Sequence, residues 1–404
     1  MKNLFFLILW SGQVFASLGP PEFKPAPPRQ PEKIIEPTIR VRVAQALSEV
    51  IISGTDLFRK IHVNEDEKVF PGRKSIRFNC QGFGQKNKAE ITDGKPLLLA
   101  SLVSQTGLLS LADHRFTGTL KIVSSTKNES CDVVHVTTLE DYISTLLAKE
   151  MNASWSIEAL KAQAVAARTY AYHKIMTQQV SELKGFESFY DLESSERHQV
   201  SGTFFDVTER TLEATRATRG MILKTLNGEL TETFFHAKCG GHTLQPHMVW
   251  TSKIPSYKSV RDPYCHGRGA LNGWGTEIKK DRIVSFLNWA HEKNYLKLPK
   301  AVTSASRISL GTDMPETATL RMFIDGKQLT FNKSLFRRYF GRVDFESNNF
   351  QAHFVANDLH IHGQGRGHGV GLCQIGALGM ADKGKKFSEI LSHYYPGHKL
   401  ETLY

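Results

Sequence analysis

One stretch of the chain, LEDYISTLLAKEMNASWSIEALKAQAVAARTYA over residues 139–171, constrains the fold more than any other. Thr138 can cap a helix that begins at the next residue, and the turn residue Asn152 ends that helix. A second helix is predicted from Ile157 to about Met176. Alanine recurs on nearly all of its faces, so this helix can pack closely on more than one side. The pattern predicts a pair of helices in the core of the protein.

Strand signals dominate the sequence before this helical pair. Residues 38–137 contain short alternating or β-branched runs, among them IRVRVA, VIISG, SIRFNC, GTLKIVSS and VVHVTT. We therefore predict a β-rich N-terminal lobe at 38–137 and a core of mixed helices and strands at 138–404, which together make an α+β fold. Within that core we expect a helix over 276–300 and a strand-rich stretch over 306–362.

The first residues have the pattern of an export signal. Lys2 precedes an apolar run, and Val14-Phe15-Ala16 offers a small-residue cleavage site, so residues 1–16 read as a signal peptide. Residues 17–37 are proline-rich and read as an extended linker. The apolar run is too short to cross a bilayer, and no other segment is apolar enough to do so. We expect an exported protein that works in the periplasm, in the cell wall or outside the cell.

The charge of the chain bears on its partners. The 404 residues carry a net charge of +11, which favours a polyanionic partner. The sequence has no long Lys/Arg block of the kind used by nucleic-acid-binding arms, so we expect no nucleic acid as partner. An anionic cell wall fits this charge.

Glu150 is the first candidate for chemistry, since it lies at the end of an apolar helix. Apolar surroundings and a helix C-terminus both disfavour the charged form of a carboxyl group, which suits a proton donor. A surface acid at a helix end would produce the same spacing. The residues alone therefore leave both interpretations open.

A glycine-rich segment, GQGRGHGVG over 363–371, is the second candidate. An extended chain there would place Arg366 and His368 on one face and bare backbone on the other, so that a sugar ring or another backbone could approach closely. The dinucleotide fingerprint GxGxxG fails in this register. A tightly packed central strand with a core histidine is the alternative.

Cysteine and histidine residues form the third group. His236, Cys239 and His242 are closely spaced and could hold zinc, whereas a Cys239–Cys265 disulfide is an equally good interpretation in an oxidising compartment. The total of five cysteines is odd, so at least one of them is left outside any internal pair. Cys373 lies near His368 at the start of a predicted helix, which also raises the alternative of a Cys/His peptidase.

Four blocks of the sequence together resemble the SpoIID/LytB family, whose best-known members are lytic transglycosylases of peptidoglycan. The resemblance spans roughly residues 38–400. The blocks are LEDYISTLLAKEMNASW with EALKAQAVAARTYA; HQVSG with TRGMIL; FFHAKCGGHT with SVRDPYC; and GRGHGVGLCQIGALGMADKG with ILSHYYPGHKL.

The resemblance implies that Glu150 is the general acid/base of a lyase that remodels the cell wall. Glu150 would cleave the bond between N-acetylmuramic acid and N-acetylglucosamine and form a 1,6-anhydro ring, a reaction that needs no cofactor. Some family members bind zinc near the FFHAKCGGHT block, which makes His236, Cys239 and His242 the candidates for a structural zinc. A serine commonly replaces Cys373 in relatives, which argues against a thiol nucleophile.

We expect a glycan groove around Glu150, lined or supported by six further side chains. These are Gln163, Arg168, Arg366, His368, Gln374 and Tyr395. The expected partners are peptidoglycan glycan strands, with or without stem peptides, and other cell-wall hydrolases or amidases. The alternatives are a non-catalytic LytB-like enhancer of another autolysin and a purely structural wall protein.

Overall fold

The structure, a computed structural model, describes residues 35–62, 66–80, 97–124, 130–180, 186–194, 206–250, 254–265, 273–298, 300–311 and 318–404. The predicted signal peptide, most of the predicted linker and the HQVSG motif at 198–202 lie outside these residues. Within the described ranges, no helix is both long and apolar enough to cross a membrane.

The described residues from 35 to 138 form ten strands, and the sequence predicts a β-rich start. They are β1 Thr38–Leu47, β2 Glu49–Gly54, β3 Leu57–Ile61, β4 Asp66–Phe70, β5 Ser75–Asn79, β6 Leu98–Ser104, β7 Leu109–Leu111, β8 His114–Phe116, β9 Thr119–Ser124 and β10 Cys131–Thr138. All five runs that were predicted as strands are confirmed. With the later strand β11 Leu192–Glu193, they make a seven-stranded sheet in the order β11-β1-β10-β9-β6-β3-β4 and a four-stranded sheet in the order β5-β2-β7-β8.

The two sheets share one apolar core. Alternate side chains from strands of both sheets, such as Ile52, Leu102 and Val133, are buried together. Ile39 and Val41 of β1 belong instead to the core of the helices that follow. A disulfide joins Cys80, just after β5, to Cys131 at the start of β10. The sheet that carries β1 and β10 therefore connects the β-rich lobe to the rest of the fold.

Eight α-helices follow among the described residues. They are α1 Leu139–Glu150, α2 Ile157–Val180, α3 Glu209–Ala217, α4 Pro246–Val249, α5 Lys280–Glu292, α6 Ser334–Phe340, α7 Gln374–Asp382 and α8 Phe387–Tyr394, with a 3-10 turn at Phe186–Phe189. Together with the strands they give the α+β fold that the sequence predicts.

The predicted starts of the first two helices and the end of α1 are confirmed, whereas α2 continues to Val180, beyond the predicted end near Met176. The Thr138 hydroxyl accepts a hydrogen bond from the backbone N–H of Asp141 at 3.2 Å and so caps α1. The Asn152 side chain accepts one from the Ser154 N–H at 2.8 Å and forms the turn before α2. The small side chains of α2 are fully buried around the helix, and α2 packs against α1, α3, α7 and α8. The alanine-rich helix is thus the centre of the main core.

Residues 274–363 form a further lobe with its own core. It contains α5, α6 and the strands β14 Trp274–Ile278, β15 Ile308–Leu310, β16 Thr319–Ile324, β17 Lys327–Asn332, β18 Phe350–Val355 and β19 Asp358–Gly363. The predicted helix over 276–300 is corrected here, since β14 occupies its beginning and α5 ends at Glu292. Trp274 and Gly363 pair at the lobe's base, so the chain enters and leaves it at one point.

Two short strand pairs complete the fold around the helices. Strand β12 Met221–Thr225 pairs with β21 His398–Thr402, and β13 Phe235–His236 runs parallel to β20 Leu372–Cys373. The second pair joins the FFHAKCGGHT block to the end of the glycine-rich segment. It therefore fixes where α7 begins.

Candidate functional site

Glu150 is the last residue of α1, and its side chain is half-buried. The Gln374 Nε2 atom donates a long hydrogen bond of 3.5 Å to Glu150 Oε2. Burial raises the pKa of Tyr142, which lies eight residues earlier on α1, and the Glu150 carboxylate raises it further. The acid therefore lies between the apolar interior and the surface, next to a side-chain amide and close to a buried phenol.

The fold explains why Gln374 is available to Glu150. Gln374 is the first residue of α7 and follows β20 directly, so the parallel β13–β20 pair sets its position. The Cys373 Sγ atom accepts a hydrogen bond from the Gly376 N–H at 3.3 Å and caps the helix. Gln374 is buried, and it brings the downstream glycine-rich block into contact with the acid 224 residues earlier.

The glycine-rich segment differs from the predicted strand. Glycines at every second position from 365 to 371 have φ values between 75° and 106°, a left-handed region that an ordinary strand does not enter. A Cβ atom at Gly371 would lie 1.9 Å from the Phe234 carbonyl oxygen, and one at Gly365 would lie 2.6 Å from that of Lys238. The prediction of close backbone approach is confirmed, whereas the regular central strand is wrong.

Arg366 and His368 lie on this segment with different exposures. Arg366 is exposed, and its backbone bridges to Lys238. His368 is half-buried, and its Nδ1 atom accepts a hydrogen bond from the Val370 N–H at 3.1 Å. Burial, together with the nearby His236 and Arg337, lowers the pKa of His368 well below its usual value. His368 is therefore a neutral ring at neutral pH.

Aromatic side chains that were not predicted as site residues surround His368. The ring centroid of His368 lies 5.1 Å from that of Trp250 and 6.2 Å from that of Phe234. Both aromatic side chains remain partly exposed. The only sequence signal was their place in and after the FFHAKCGGHT block, because no spacing rule links 234, 250 and 368. Partly exposed aromatic faces of this kind offer a surface on which a sugar ring can stack.

Arg168 lies in the core and not on a groove. Its guanidinium makes two hydrogen bonds of 2.8 Å to the Glu140 carboxylate, and its side chain is fully buried. Burial raises the pKa of Glu140. The hydrogen bonds and charge of Arg168, and the hydrogen bonds from Tyr404 and Gly220, outweigh this effect, so the pKa of Glu140 lies below its usual value. The pair ties α1 to α2.

Gln163 and Tyr395 are also buried. Both polar atoms of the Gln163 amide lack a hydrogen-bond partner among the described residues. The Tyr395 hydroxyl donates to the Phe234 carbonyl oxygen at 2.6 Å and accepts from the Leu372 N–H at 3.3 Å. Tyr395 thus holds the β13–β20 junction, and neither side chain presents a surface to a glycan strand. We remove both, with Arg168, from the groove.

The predicted zinc ligands do not come together as expected. His236 is buried with its Nδ1 atom against the Val370 carbonyl oxygen at 3.1 Å, and His242 pairs through its backbone with Arg261. Cys239 instead lies with three other side chains, Asp262, Cys265 and Cys373. Their four ligand atoms lie within 4.8 Å of one another.

The predicted Cys239–Cys265 disulfide is also not formed. Cys239, Cys265 and Cys373 are all free and buried. Hydrogen bonds from Cys239 and Cys373 hold the pKa of the Cys265 thiol well below its usual value, and the same contact with Cys265 raises that of Cys239. Burial raises the pKa of Cys373, which does not suit a thiolate nucleophile.

A cavity of about 770 Å³ opens on another side of the glycine-rich segment, next to the 274–363 lobe. Its lining includes His242, Arg261, Trp274, Asn349 and Gln364. Glu150 and Gln374 do not line it. This cavity is therefore a different feature from the glycan groove expected around Glu150.

Comparison with known proteins gives a consistent set of relatives. A family model described as "Stage II sporulation protein" (SpoIID) matches residues 127–224. The chain is 33% identical over 270 residues to an uncharacterized protein of Brachyspira hyodysenteriae. This match covers 67% of this chain and 68% of the relative.

Two relatives from Bacillus subtilis carry functional names. The chain is 28% identical over 287 residues to the stage II sporulation protein D, a match that covers 69% of this chain and 78% of the relative. It is also 28% identical over 296 residues to the amidase enhancer, where the match covers 64% of this chain but only 40% of the relative. The matched family residues include α1, α2 and Glu150.

Proposed function

The chain belongs to the SpoIID/LytB family, and from that premise we propose that it is an exported lytic transglycosylase of peptidoglycan with Glu150 as its acid/base. The substrate is the bond between N-acetylmuramic acid and N-acetylglucosamine in a glycan strand. The relatives of the chain in the SpoIID family support a role that is related to the cell wall.

In the proposed reaction Glu150 acts first as a proton donor and then as a proton acceptor. The Glu150 carboxyl group donates its proton to the glycosidic oxygen as the bond to the muramyl C1 breaks. The resulting carboxylate then accepts the proton of the muramyl 6-hydroxyl while the 6-oxygen bonds to C1, which closes a 1,6-anhydro ring and restores the acid. One carboxyl group is sufficient because no water is activated, whereas a hydrolase normally uses two carboxyl groups.

The contact between Glu150 and Gln374 is the observation that carries the proposal. It joins the two sequence blocks on which the family resemblance depends, although 224 residues separate them. The Glu150 carboxyl group is half-buried at the end of α1. An amide donor beside it can orient the carboxyl group toward a substrate oxygen.

The glycine-rich segment supplies further groups for substrate binding. We assign Arg366 and His368 to the glycan side of the site, where the exposed guanidinium and the neutral imidazole can form hydrogen bonds to sugar hydroxyls. The partly exposed rings of Trp250 and Phe234 border His368. Together they give a polar and aromatic surface of the type that binds sugars.

Two observations support export. The first residues have the signal-peptide pattern, and the Cys80–Cys131 disulfide is of the kind that persists in oxidising compartments outside the cytoplasm. The net charge of +11 favours association with an anionic wall. We therefore place the protein in the periplasm or the cell wall, with glycan strands as its partner.

The test is mass spectrometry of purified glycan strands, with and without stem peptides, after incubation with the protein. The wild type should release fragments with 1,6-anhydro-muramyl ends. Glu150→Gln should reduce that release by roughly 10²-fold or more, because it removes the proton donor and keeps the side-chain shape. Glu213→Gln, an exposed position on α3, is the matched control and should cleave like the wild type.

The amidase enhancer relative supports one alternative, a glycan-binding enhancer of another cell-wall hydrolase. In that case neither protein would release fragments alone, yet both the wild type and Glu150→Gln would bind glycan and stimulate an amidase equally. Reducing-end products would show hydrolysis and a second catalytic carboxyl group. Either result would reject the transglycosylase.

A further inference from the structure

Four buried side chains form a cluster that the proposed reaction does not use. Cys239 follows β13, Asp262 and Cys265 lie in the SVRDPYC block, and Cys373 ends β20. All four are nearly inaccessible to solvent. We infer that Cys239, Asp262, Cys265 and Cys373 form a structural zinc site in place of the predicted set of His236, Cys239 and His242.

The distances fit a tetrahedral ion. A zinc ion with Zn–S bonds of about 2.3 Å places its sulfur ligands about 3.8 Å apart, and a carboxylate oxygen somewhat closer to each sulfur. The Cys265 and Cys373 Sγ atoms are 3.5 Å apart, and Cys239 Sγ lies 3.2 Å from Asp262 Oδ2. All four ligand atoms lie within 4.8 Å of one another, so one ion can reach them with small movements.

The surroundings of the cluster resemble those of bound thiolates. Backbone N–H groups point at the sulfur atoms: Gly241 donates to Cys239 Sγ, while Cys239 and Gly376 donate to Cys373 Sγ, each at 3.3 Å. The Tyr394 hydroxyl donates to Asp262 Oδ2 at 2.8 Å, which leaves the carboxylate oriented toward the sulfurs. Such outer hydrogen bonds hold metal ligands in place.

A cation would also resolve the charge of the cluster. The Asp262 carboxylate is fully buried among the three sulfur atoms, and an unpaired buried charge is costly. In the described part of the chain, no Lys or Arg side chain forms a hydrogen bond or ion pair with any of the four. The sulfur-rich donor set favours zinc over magnesium or calcium.

The site would fix the catalytic geometry without joining the chemistry. Cys373 directly precedes Gln374, which contacts Glu150, and Gly376 of α7 packs so closely on Asp262 that a Cβ there would lie 2.2 Å from Oδ2. The ion would thus join the loop after β13, the SVRDPYC block and the start of α7. The metal assignment does not depend on the proposed reaction.

Metal content tests the inference directly. The full mature protein, purified without a metal-affinity tag, should contain about one zinc per chain by elemental mass spectrometry. Cys265→Ser should reduce that content severalfold or more. His242→Gln should retain it, which separates this site from the predicted histidine-containing set. Cobalt in place of zinc should give sulfur-to-metal charge-transfer absorption, lost in Cys265→Ser.

A second measurement on the wild type covers the case in which Cys265→Ser fails to fold. Cys239, Cys265 and Cys373 should resist alkylation in the native protein and become alkylated after a chelator is added, with a lower Tm. A metal-free native protein, iron in place of zinc, a Cys265–Cys373 disulfide found by peptide mass spectrometry, or loss of zinc in His242→Gln would overturn the inference.

Discussion

At the scale of single residues, burial decides the charge of His135 on β10. Its ring lies 4.9 Å from that of Phe116, and its Nε2 atom donates to the Thr117 carbonyl oxygen at 2.6 Å. Burial lowers the pKa of His135 to about 4, although the hydrogen bond to Thr117 acts in the opposite direction. The imidazole is therefore neutral in the folded protein at pH values where an unfolded chain would protonate it.

This difference predicts a loss of stability in mild acid. Between the unfolded pKa of about 6.5 and the folded pKa of about 4, the unfolded chain binds more protons, so the free energy of unfolding falls as the pH falls. The full contribution is present above pH 6.5 and amounts to roughly 3 kcal/mol. Urea unfolding of the wild type and of His135→Gln at several pH values between 7.5 and 4 measures this contribution as the difference between the two proteins.

Two variants isolate the histidine. His135→Gln should be less stable at pH 7.5 but should have a flatter dependence on pH, because the titrating group is gone. His247→Gln removes an exposed histidine and should keep the wild-type slope. Equal slopes in His135→Gln and the wild type would contradict the prediction.

Single residues also show what the sequence could reveal about the site. Glu150 was a candidate because a carboxyl group at the end of an apolar helix is a local pattern, and only the family resemblance implied a catalytic role for it. Arg168 was misplaced because its partner, Glu140, lies 28 residues earlier on another helix. The sequence shows that a buried arginine needs a partner, but it does not show which acid is in reach.

At the scale of elements, the helices α1 and α2 were predictable and the glycine-rich segment was not. Helix ends are set by local caps, here Thr138 and Asn152, which are visible in the sequence. The segment at 363–371 has a period of two like a strand, but its alternate glycines adopt positive φ. Periodicity does not reveal the sign of φ at a glycine, so the strand prediction failed.

The same segment gives a prediction with a matched control. Gly371→Ala adds a methyl group 1.9 Å from the Phe234 carbonyl oxygen at a φ of 75°, so the β13–β20 pair must separate. We expect a loss of more than about 4 kcal/mol in the free energy of unfolding, or failure to fold. Gly384→Ala has a similar φ of 80° but open space around it.

The control separates conformational strain from steric overlap. Gly384→Ala should lose only about 1–2 kcal/mol, the usual loss for a left-handed non-glycine residue. Urea unfolding of both variants measures the difference. Similar losses in the two variants would mean that the β13–β20 contact gives way without difficulty, and that the segment is not fixed by backbone approach.

At the scale of the whole molecule, the described chain has three large apolar cores and one small cluster of Val123, Val134 and Tyr190. The two-sheet lobe, the helical core around α2 and the 274–363 lobe each have a separate cluster of buried side chains. The β-rich start was predictable from its alternation. The 274–363 lobe was not recognised as a unit, because its boundary is a pairing between Trp274 and Gly363, residues far apart in sequence.

The cluster that we propose as a zinc site was missed for the same reason. Its four side chains come from positions 239, 262, 265 and 373, and no short motif contains them all. Local spacing therefore pointed to His236 and His242, the nearest residues of the right type. The long-range pairing of β13 with β20 is what brings Cys373 next to Cys239.

The Cys80–Cys131 disulfide gives the last prediction, since it closes a loop across the two-sheet lobe with a sequence separation of 51. In the chain-entropy picture a loop of that length stabilises the folded state by roughly 4 kcal/mol, and measured values are usually about 2–4 kcal/mol. Cys80→Ala/Cys131→Ala should lower the free energy of unfolding by that amount. At low temperature the double variant should still cleave glycan strands, because Glu150 lies on α1 of the separate helical core.

Reductant distinguishes this disulfide from the other cysteines. Added dithiol should lower the urea midpoint of the wild type to nearly that of the double variant, and it should leave the double variant unchanged, because Cys239, Cys265 and Cys373 are free thiols in the structure. An equal fall in both proteins would show that a second disulfide forms among those three. That result would contradict both the stabilising role of the Cys80–Cys131 disulfide and the zinc site, since cysteines joined in a disulfide are no longer thiolates and cannot hold the ion.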